Sequence, residues 1–303
     1  MLAYTQNWKG TLMGNAPQSS HEWFRRARYG LFVHYGLYSI LGRHEWALYR
    51  ERIPFDEYRP LKDRFDPREG AVEEWIKLAK EVGMRYACLT TRHHDGFCLW
   101  DTDTDDFNSC NSPCGRDLVR EYVEACRRHD MGVGLYYSVR DWHDERFLAG
   151  PKQDPAGWND FVGLVHSQLQ ELMSNYGQID YLFYDGCPPA ELWGAEALNA
   201  EIRELQPDIL ISDRCHLDED VTSAEGHTLR DPGKSWESCM TSNESWGYNR
   251  GDHDWKTPRE LVGLLLNVAH NGGNLLFNLG PRGDGSIPEP FHNLVKKAGQ
   301  WLE

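Results

Sequence analysis

The chain has 303 residues, 47 acidic against 32 basic side chains and a formal net charge of −15. Without a basic run, that balance excludes nucleic acid or an anionic membrane as an electrostatic partner. The length suits one large barrel or two ordinary domains, and 40% hydrophobic residues with twelve Trp supply a sizeable core.

After a polar lead-in, residues 21–28 read as a short helix. Residues 30–36, apolar with a glycine at each end, read as the first buried strand. A long loop over residues 42–50 then carries Glu45 and Trp46. Val72, Trp75, Ile76, Ala79 and Val82 share one helical face, and Gly83 ends that helix. Residues 85–91 form the next strand, followed by Arg92-His93-His94-Asp95 in its C-terminal loop. A charged amphipathic helix (117–129), a strand (133–138) whose loop holds Asp141, and a long helix (158–176) come next. Tyr181-Leu182-Phe183-Tyr184 is a short buried strand that runs straight into Asp185 and Gly186. Gly186 lets the chain turn sharply, so that Asp185 can face a cavity mouth.

Residues 190–205 read as a helix and 209–214 as a strand ending in charge. Residues 215–234 show no periodicity and read as an irregular, acidic loop region. A strand over 236–241 follows, and its loop holds Trp246. Thr257-Pro258-Arg259-Glu260 opens a helix with Thr as N-cap, Pro at the first position and Glu at the third. The last strand spans 274–279 and an amphipathic helix spans 290–302.

Strand and helix alternate about every thirty-five residues, with seven or eight strands. The expected fold is α/β: a (β/α)8 TIM-like barrel, irregular in its later helices, forming a single catalytic domain over residues 1–303. A doubly wound open sheet is the alternative, but the Gly-rich phosphate loop it usually needs is missing. The eight Cys contain no CxxC pair and read as free thiols, with a Cys110–Cys114 bridge as the lesser reading. The first eight residues lack the basic and apolar regions of a signal peptide, and no apolar run would span a membrane, so a cytoplasmic protein is expected.

A parallel barrel places its chemistry at the C-terminal ends of its strands. Here those ends carry His34, His93, His94, Asp95, Tyr137, Asp141, Asp185, Asp213, Arg214 and Glu237, with Glu45 and Trp46 from the first loop. Any one of them has a bland reading: Trp46 as core, Arg214 as an ion pair, His34 as a buried, satisfied histidine. Together they exceed what packing needs, and burying them without a ligand would cost desolvation. A neutral polyol substrate accounts for the mixture. One candidate chemistry is a metal-dependent hydrolase. Adjacent His93 and His94 would face opposite sides of a regular strand, and no His-Glu-x-x-His helix exists, so no metal and no other cofactor is expected. The other is glycoside hydrolysis by two carboxylates, with Asp185 as nucleophile. A non-catalytic sugar-binding protein would not need two carboxylates at catalytic spacing.

From about Trp23 onward the chain resembles glycoside hydrolase family 29, the retaining α-L-fucosidases. The stretches that carry the resemblance begin with Gly30-Leu31-Phe32-Val33-His34-Tyr35-Gly36, Glu45-Trp46, Arg92-His93-His94-Asp95-Gly96-Phe97 and Leu135-Tyr136-Tyr137-Ser138. Phe183-Tyr184-Asp185-Gly186, Ser212-Asp213-Arg214, Trp236-Glu237-Ser238-Cys239-Met240-Thr241 and Ser245-Trp246-Gly247-Tyr248 follow in the same order. The resemblance implies release of terminal α-L-fucosyl residues through a covalent glycosyl-Asp intermediate, with transfucosylation as an accompanying reaction. It implies Asp185 as nucleophile and His34, Trp46, His93, His94, Tyr137, Arg214 and Trp246 as fucose contacts, with Glu45 beside the pocket. Its acid/base is a Glu on a variable loop. Thr222-Ser223-Ala224-Glu225 is the nearest match to the family's Thr-Pro-Glu, with Ala in place of Pro. Glu225 is therefore the expected acid/base, Glu237 the runner-up and Glu244 a distant third.

The implied partner is a fucosylated oligosaccharide or glycoconjugate. Members usually continue into a C-terminal β-sandwich, and this sequence stops at Glu303. Its own loops, or a neighbouring subunit in a homo-oligomer, would then complete the sugar pocket. The Glu225 segment is expected to be a mobile loop that orders over substrate. Without ligand, Glu225 should lie beyond the catalytic distance from Asp185, or be poorly ordered, while Glu237 is well ordered.

Overall fold

A computed structural model describes residues 16–230 and 232–302. Residues 1–15, on which the expectation of no signal peptide falls, lie outside the described residues. Eight strands pair in parallel: β1 (Tyr29–Val33), β2 (Tyr86–Arg92), β3 (Gly132–Ser138), β4 (Tyr181–Asp185), β5 (Leu210–Ile211), β6 (Val221–Glu225), β7 (Ser235–Met240) and β8 (Asn274–Leu279). Their order is β5-β4-β3-β2-β1-β8-β7-β6, and a parallel bridge from Ser212 to Val221 brings the two ends together. The sheet is thus a nearly closed (β/α)8 barrel.

Strand side chains alternate between two buried layers. Leu31, Val33, Ala87, Leu89, Leu135, Leu182, Leu275 and Phe277 face outward into the large core shared with the helices. Phe32, Tyr86, Cys88, Tyr136, Tyr181, Phe183, Cys239 and Leu276 face the lumen. Burial on both faces is why most strands read as unbroken apolar runs. Phe24, from the helix Gln18–Ala27, plugs the N-terminal end of the barrel, its ring 5.5 Å from those of Tyr86 and Tyr181.

Helices cover the outer face largely where periodicity places them, at Ala71–Glu81, Leu118–Arg128, Pro155–Ser174, Pro258–His270 and Glu289–Gly299. Thr257 and Glu260 form the expected capping box. The helix expected over 190–205 breaks at Gly194, where φ is +68°, into Ala190–Trp193 and Ala195–Leu205. All eight cysteines are unbridged, Cys110 and Cys114 included.

Two expectations change around the closure. The strand read over 209–214 keeps only Leu210–Ile211, and the chain then turns through the 3-10 segment Asp213–Cys215. The stretch read as an irregular loop contains β6, paired with β7 from Val221 against Ser235 to Glu225 against Cys239. The seam between β5 and β6 is narrow. Asp220 reinforces it by accepting the Ile211 N–H at 3.0 Å and Arg203 at 2.7 Å.

Candidate active site

Asp185 ends β4 at the mouth, in register with Ser138 of β3. Gly186 then turns with φ +59°, and a Cβ there would lie 2.6 Å from the Cβ of Arg140 and 3.2 Å from the His94 ring. Oδ1 of Asp185 accepts a hydrogen bond from Arg214 Nη2 at 2.6 Å, and Oδ2 accepts one from the Tyr136 hydroxyl at 2.8 Å. His94 Nε2 lies 3.5 Å from Oδ2. Burial pushes the Asp185 pKa upward, but Arg214 and His94 outweigh it and hold the carboxyl at about 2. Burial likewise favours a neutral Arg214, and Asp185 reverses that, keeping the guanidinium charged.

A cavity of about 150 Å³ opens above this pair. His34, His93 and His94 line it, all buried. Burial pulls the pKa of His34 down to about 3 and that of His94 to about 4, and places His93 well below the usual histidine range. All three are neutral, so each can both donate and accept. Asn278 donates through Nδ2 to the Trp246 carbonyl, which leaves its Oδ1 to accept from His34 Nδ1 at 2.7 Å. His34 Nε2 is therefore an acceptor, and none of the described residues bonds to it. His93 Nδ1 is buried and has no hydrogen-bond partner among the described residues, an orphan that a ligand hydroxyl would satisfy. The two adjacent histidines both reach the cavity because β2 ends at Arg92 and they sit beyond it, where strand alternation no longer holds. Among the described residues no group of three or more His, Cys, Asp or Glu is disposed to hold a metal ion.

Glu225 ends β6 and lines the same cavity. Arg214 Nη2 lies 2.6 Å from Asp185 Oδ1 and 3.4 Å from Glu225 Oε2, so those two oxygens are at most about 6 Å apart. The expectation of an irregular loop around Glu225 is corrected. The residue sits on a paired strand, and Val221, Ser223 and Glu225 share the lumen-facing parity. Its side chain is 49% exposed against 19% for Asp185, so water reaches the glutamate more freely than the aspartate.

Other residues fall differently. Tyr137 does not face the cavity. Its hydroxyl donates to Gln168 at 2.7 Å on the helix side of β3, with Arg92 packed over its ring. Tyr136, one position earlier, has the parity of Asp185 and takes the place expected for Tyr137. Phe32, Phe183, Arg140 and Cys239 also line the cavity and were not expected there; the alternation running back from Asp185 is the signal that finds Phe183. Trp46 and Trp246 line the cavity as expected. Glu45 is buried beside it, accepting the Gly247 N–H at 2.7 Å, and burial raises its pKa.

Glu237 is not at a strand end. It is the third residue of β7, inside the lumen, bonded to the hydroxyls of Tyr181 (2.6 Å), Tyr86 (2.9 Å) and Ser223 (3.2 Å). Burial pushes its pKa up to about 7, against the three hydroxyls that favour its anion. Three further acids serve the frame: Asp95 accepts from Tyr58, Asp141 pairs with buried Arg92, and Asp213 accepts the Ser223 N–H.

Glycoside hydrolysis with retention requires two carboxyl groups about 5–5.5 Å apart across a sugar-sized opening. The fold and the site put this chain in that class of enzyme. It belongs to the α-L-fucosidase family, whose model matches residues 2–303. Human plasma α-L-fucosidase is 30% identical over 317 residues, covering 93% of this chain and 67% of that protein. Among solved structures, α-L-fucosidase isoenzyme 1 from Paenibacillus thiaminolyticus superposes with a TM-score of 0.87 at 36% identity, over 93% of this chain and 75% of that one. An α-L-fucosidase from Lactobacillus casei, solved with α-L-fucose product, gives 0.84 at 30% identity, over 93% and 98%.

Proposed function

We propose that the protein hydrolyses terminal α-L-fucosyl residues with retention of configuration. Asp185 attacks the anomeric carbon while Glu225 protonates the departing oxygen, giving a fucosyl ester on Asp185. Glu225 then takes a proton from water, which attacks the same carbon and releases fucose. The observation that supports this reading is the single Arg214 nitrogen between Asp185 and Glu225, which keeps one oxygen of each within about 6 Å of the other, short of the spacing of an inverting pair. Arg214 and Tyr136 keep Asp185 ionised and oriented. His34, His93 and His94, uncharged, can each donate to and accept from sugar hydroxyls. Phe32, Phe183 and Trp246 give the lining an apolar part, which suits a sugar whose C6 is a methyl group. The unbridged cysteines fit a reducing compartment, and we read the enzyme as cytoplasmic; no helix among the described residues is long and apolar enough to cross a membrane.

Asp185→Asn tests the reading. Turnover of an aryl α-L-fucoside should fall by roughly a thousandfold or more with the fold retained, because no glycosyl ester can form. A 2-fluoro-fucosyl fluoride should label Asp185 in the wild type, read by peptide mass spectrometry. A non-catalytic binder would hold fucose and release none. Turnover surviving in Asp185→Asn would end the proposal.

A further inference from the structure

A second cavity, of about 420 Å³, adjoins the fucose pocket and shares Trp46, Glu225 and Trp246 with it. A third, beside Tyr49 and Trp142, shares no lining residue with the fucose pocket. The distinction matters because the departing oxygen must lie within reach of Glu225. A leaving group therefore projects into the cavity that Glu225 also lines. We propose that this second cavity is the leaving-group subsite, that it takes a neutral sugar residue, and that its Glu244 discriminates against anionic glycans. The inference rests on Glu225 being the acid/base.

The chemistry of the walls supports both parts. Two indoles, Trp46 and Trp246, line both cavities and supply apolar surface for a sugar ring. The floor is fixed: Asp252 accepts from the Glu244 N–H at 3.0 Å and the Ser245 hydroxyl at 2.9 Å, and Asn249 donates to Ser245 at 3.2 Å. His44 Nδ1 accepts the Trp46 N–H at 3.0 Å, so its proton sits on Nε2, a donor for a hydroxyl. The carboxylate of Glu244 is exposed and has no hydrogen bond or ion pair among the described residues, which leaves it available to a ligand. Apart from the proposed acid/base, the acids of this lining are Glu45, Glu244 and Asp252, against one Lys or Arg, Arg50, which lies over the Trp46 ring at 5.6 Å. A carboxylate or sulfate on the leaving sugar would meet like charge there, inside a chain whose net charge is −15.

The test compares three substrates: α-L-fucosyl fluoride, an α-L-fucosyl-hexose, and the same disaccharide with the hexose C6 oxidised to a carboxylate. The fluoride leaves as one atom and reads the fucose pocket alone, so each enzyme's disaccharide rates are divided by its own fluoride rate. Wild type should prefer the neutral disaccharide by about tenfold or more in kcat/KM. Glu244→Lys should shrink that ratio by about tenfold, and Glu244→Gln should shrink it less. A wild-type ratio near one, or a ratio that neither substitution moves, overturns the subsite. Absence of fluoride hydrolysis by the wild type would instead overturn the fucosidase reading on which it rests.

Discussion

Asp185 and Glu225 are held by one guanidinium, yet they sit in different surroundings: one walled in, the other open to water. That difference supports the roles proposed for them. A nucleophile gains from a fixed, ionised state, whereas an acid/base must exchange protons with a leaving group and then with water. Glu225→Ala should therefore slow aryl fucosides with good leaving groups less than natural linkages. Added azide should restore its turnover and give a fucosyl azide of retained α configuration, read by NMR. Glu237→Ala should show no such rescue, because its carboxylate is occupied by Tyr86, Tyr181 and Ser223 inside the lumen. The adjacent tyrosines offer a second contrast. Tyr136→Phe removes a hydrogen bond to the nucleophile and should lower kcat/KM about 10–100-fold, while Tyr137→Phe should cost about 1 kcal/mol of stability and leave kinetics near wild type. Asp185 was legible in the sequence because an apolar run, a carboxylate and a glycine coincide. The choice between Tyr136 and Tyr137 was not. Both neighbours are aromatic with a hydroxyl, and only the register of β3 against β4 says which one faces inward.

At the scale of elements, legibility follows how local the signal is. The helix Pro258–His270 announces itself in four consecutive residues, and its capping box is made by side chains three apart. Thr257→Ala should lower stability by about 1 kcal/mol, seen as a melting temperature about 2 °C lower, with kcat unchanged. β6 gives the opposite case. Its inward positions include Ser223 and Glu225, which serve the lumen and the site, so the apolar alternation that marks a strand is absent. β5 is too short for any periodic signal, and it closes the barrel with two residues and one bridge. The chemistry of the mouth thus erased the pattern that would have revealed the strand bearing Glu225.

For the whole molecule, the buried Glu237 makes stability depend on pH. The folded state holds its proton up to about 7, whereas an exposed glutamate lets go near 4.5, so folding binds a proton between those values. Its stabilising contribution is complete below about pH 4.5 and fades as pH rises to about 7. Urea unfolding at pH 5 and pH 7.5 should show wild type weakening across that window by on the order of 1–3 kcal/mol more than Glu237→Gln, which cannot ionise. The seam between β5 and β6 has a consequence of its own. Arg214, just beyond β5, reaches Asp185 on β4 and Glu225 on β6, so the ion pairs of the proposed catalytic pair also clasp the ring where its backbone pairing is thinnest. Enzymes commonly gain ruggedness when strained active-site charges are removed. Here the proposed catalytic guanidinium is also a clasp of the barrel, so removing its charge would loosen the closure as well as the site, and gains in ruggedness are to be sought in helix caps and outer packing.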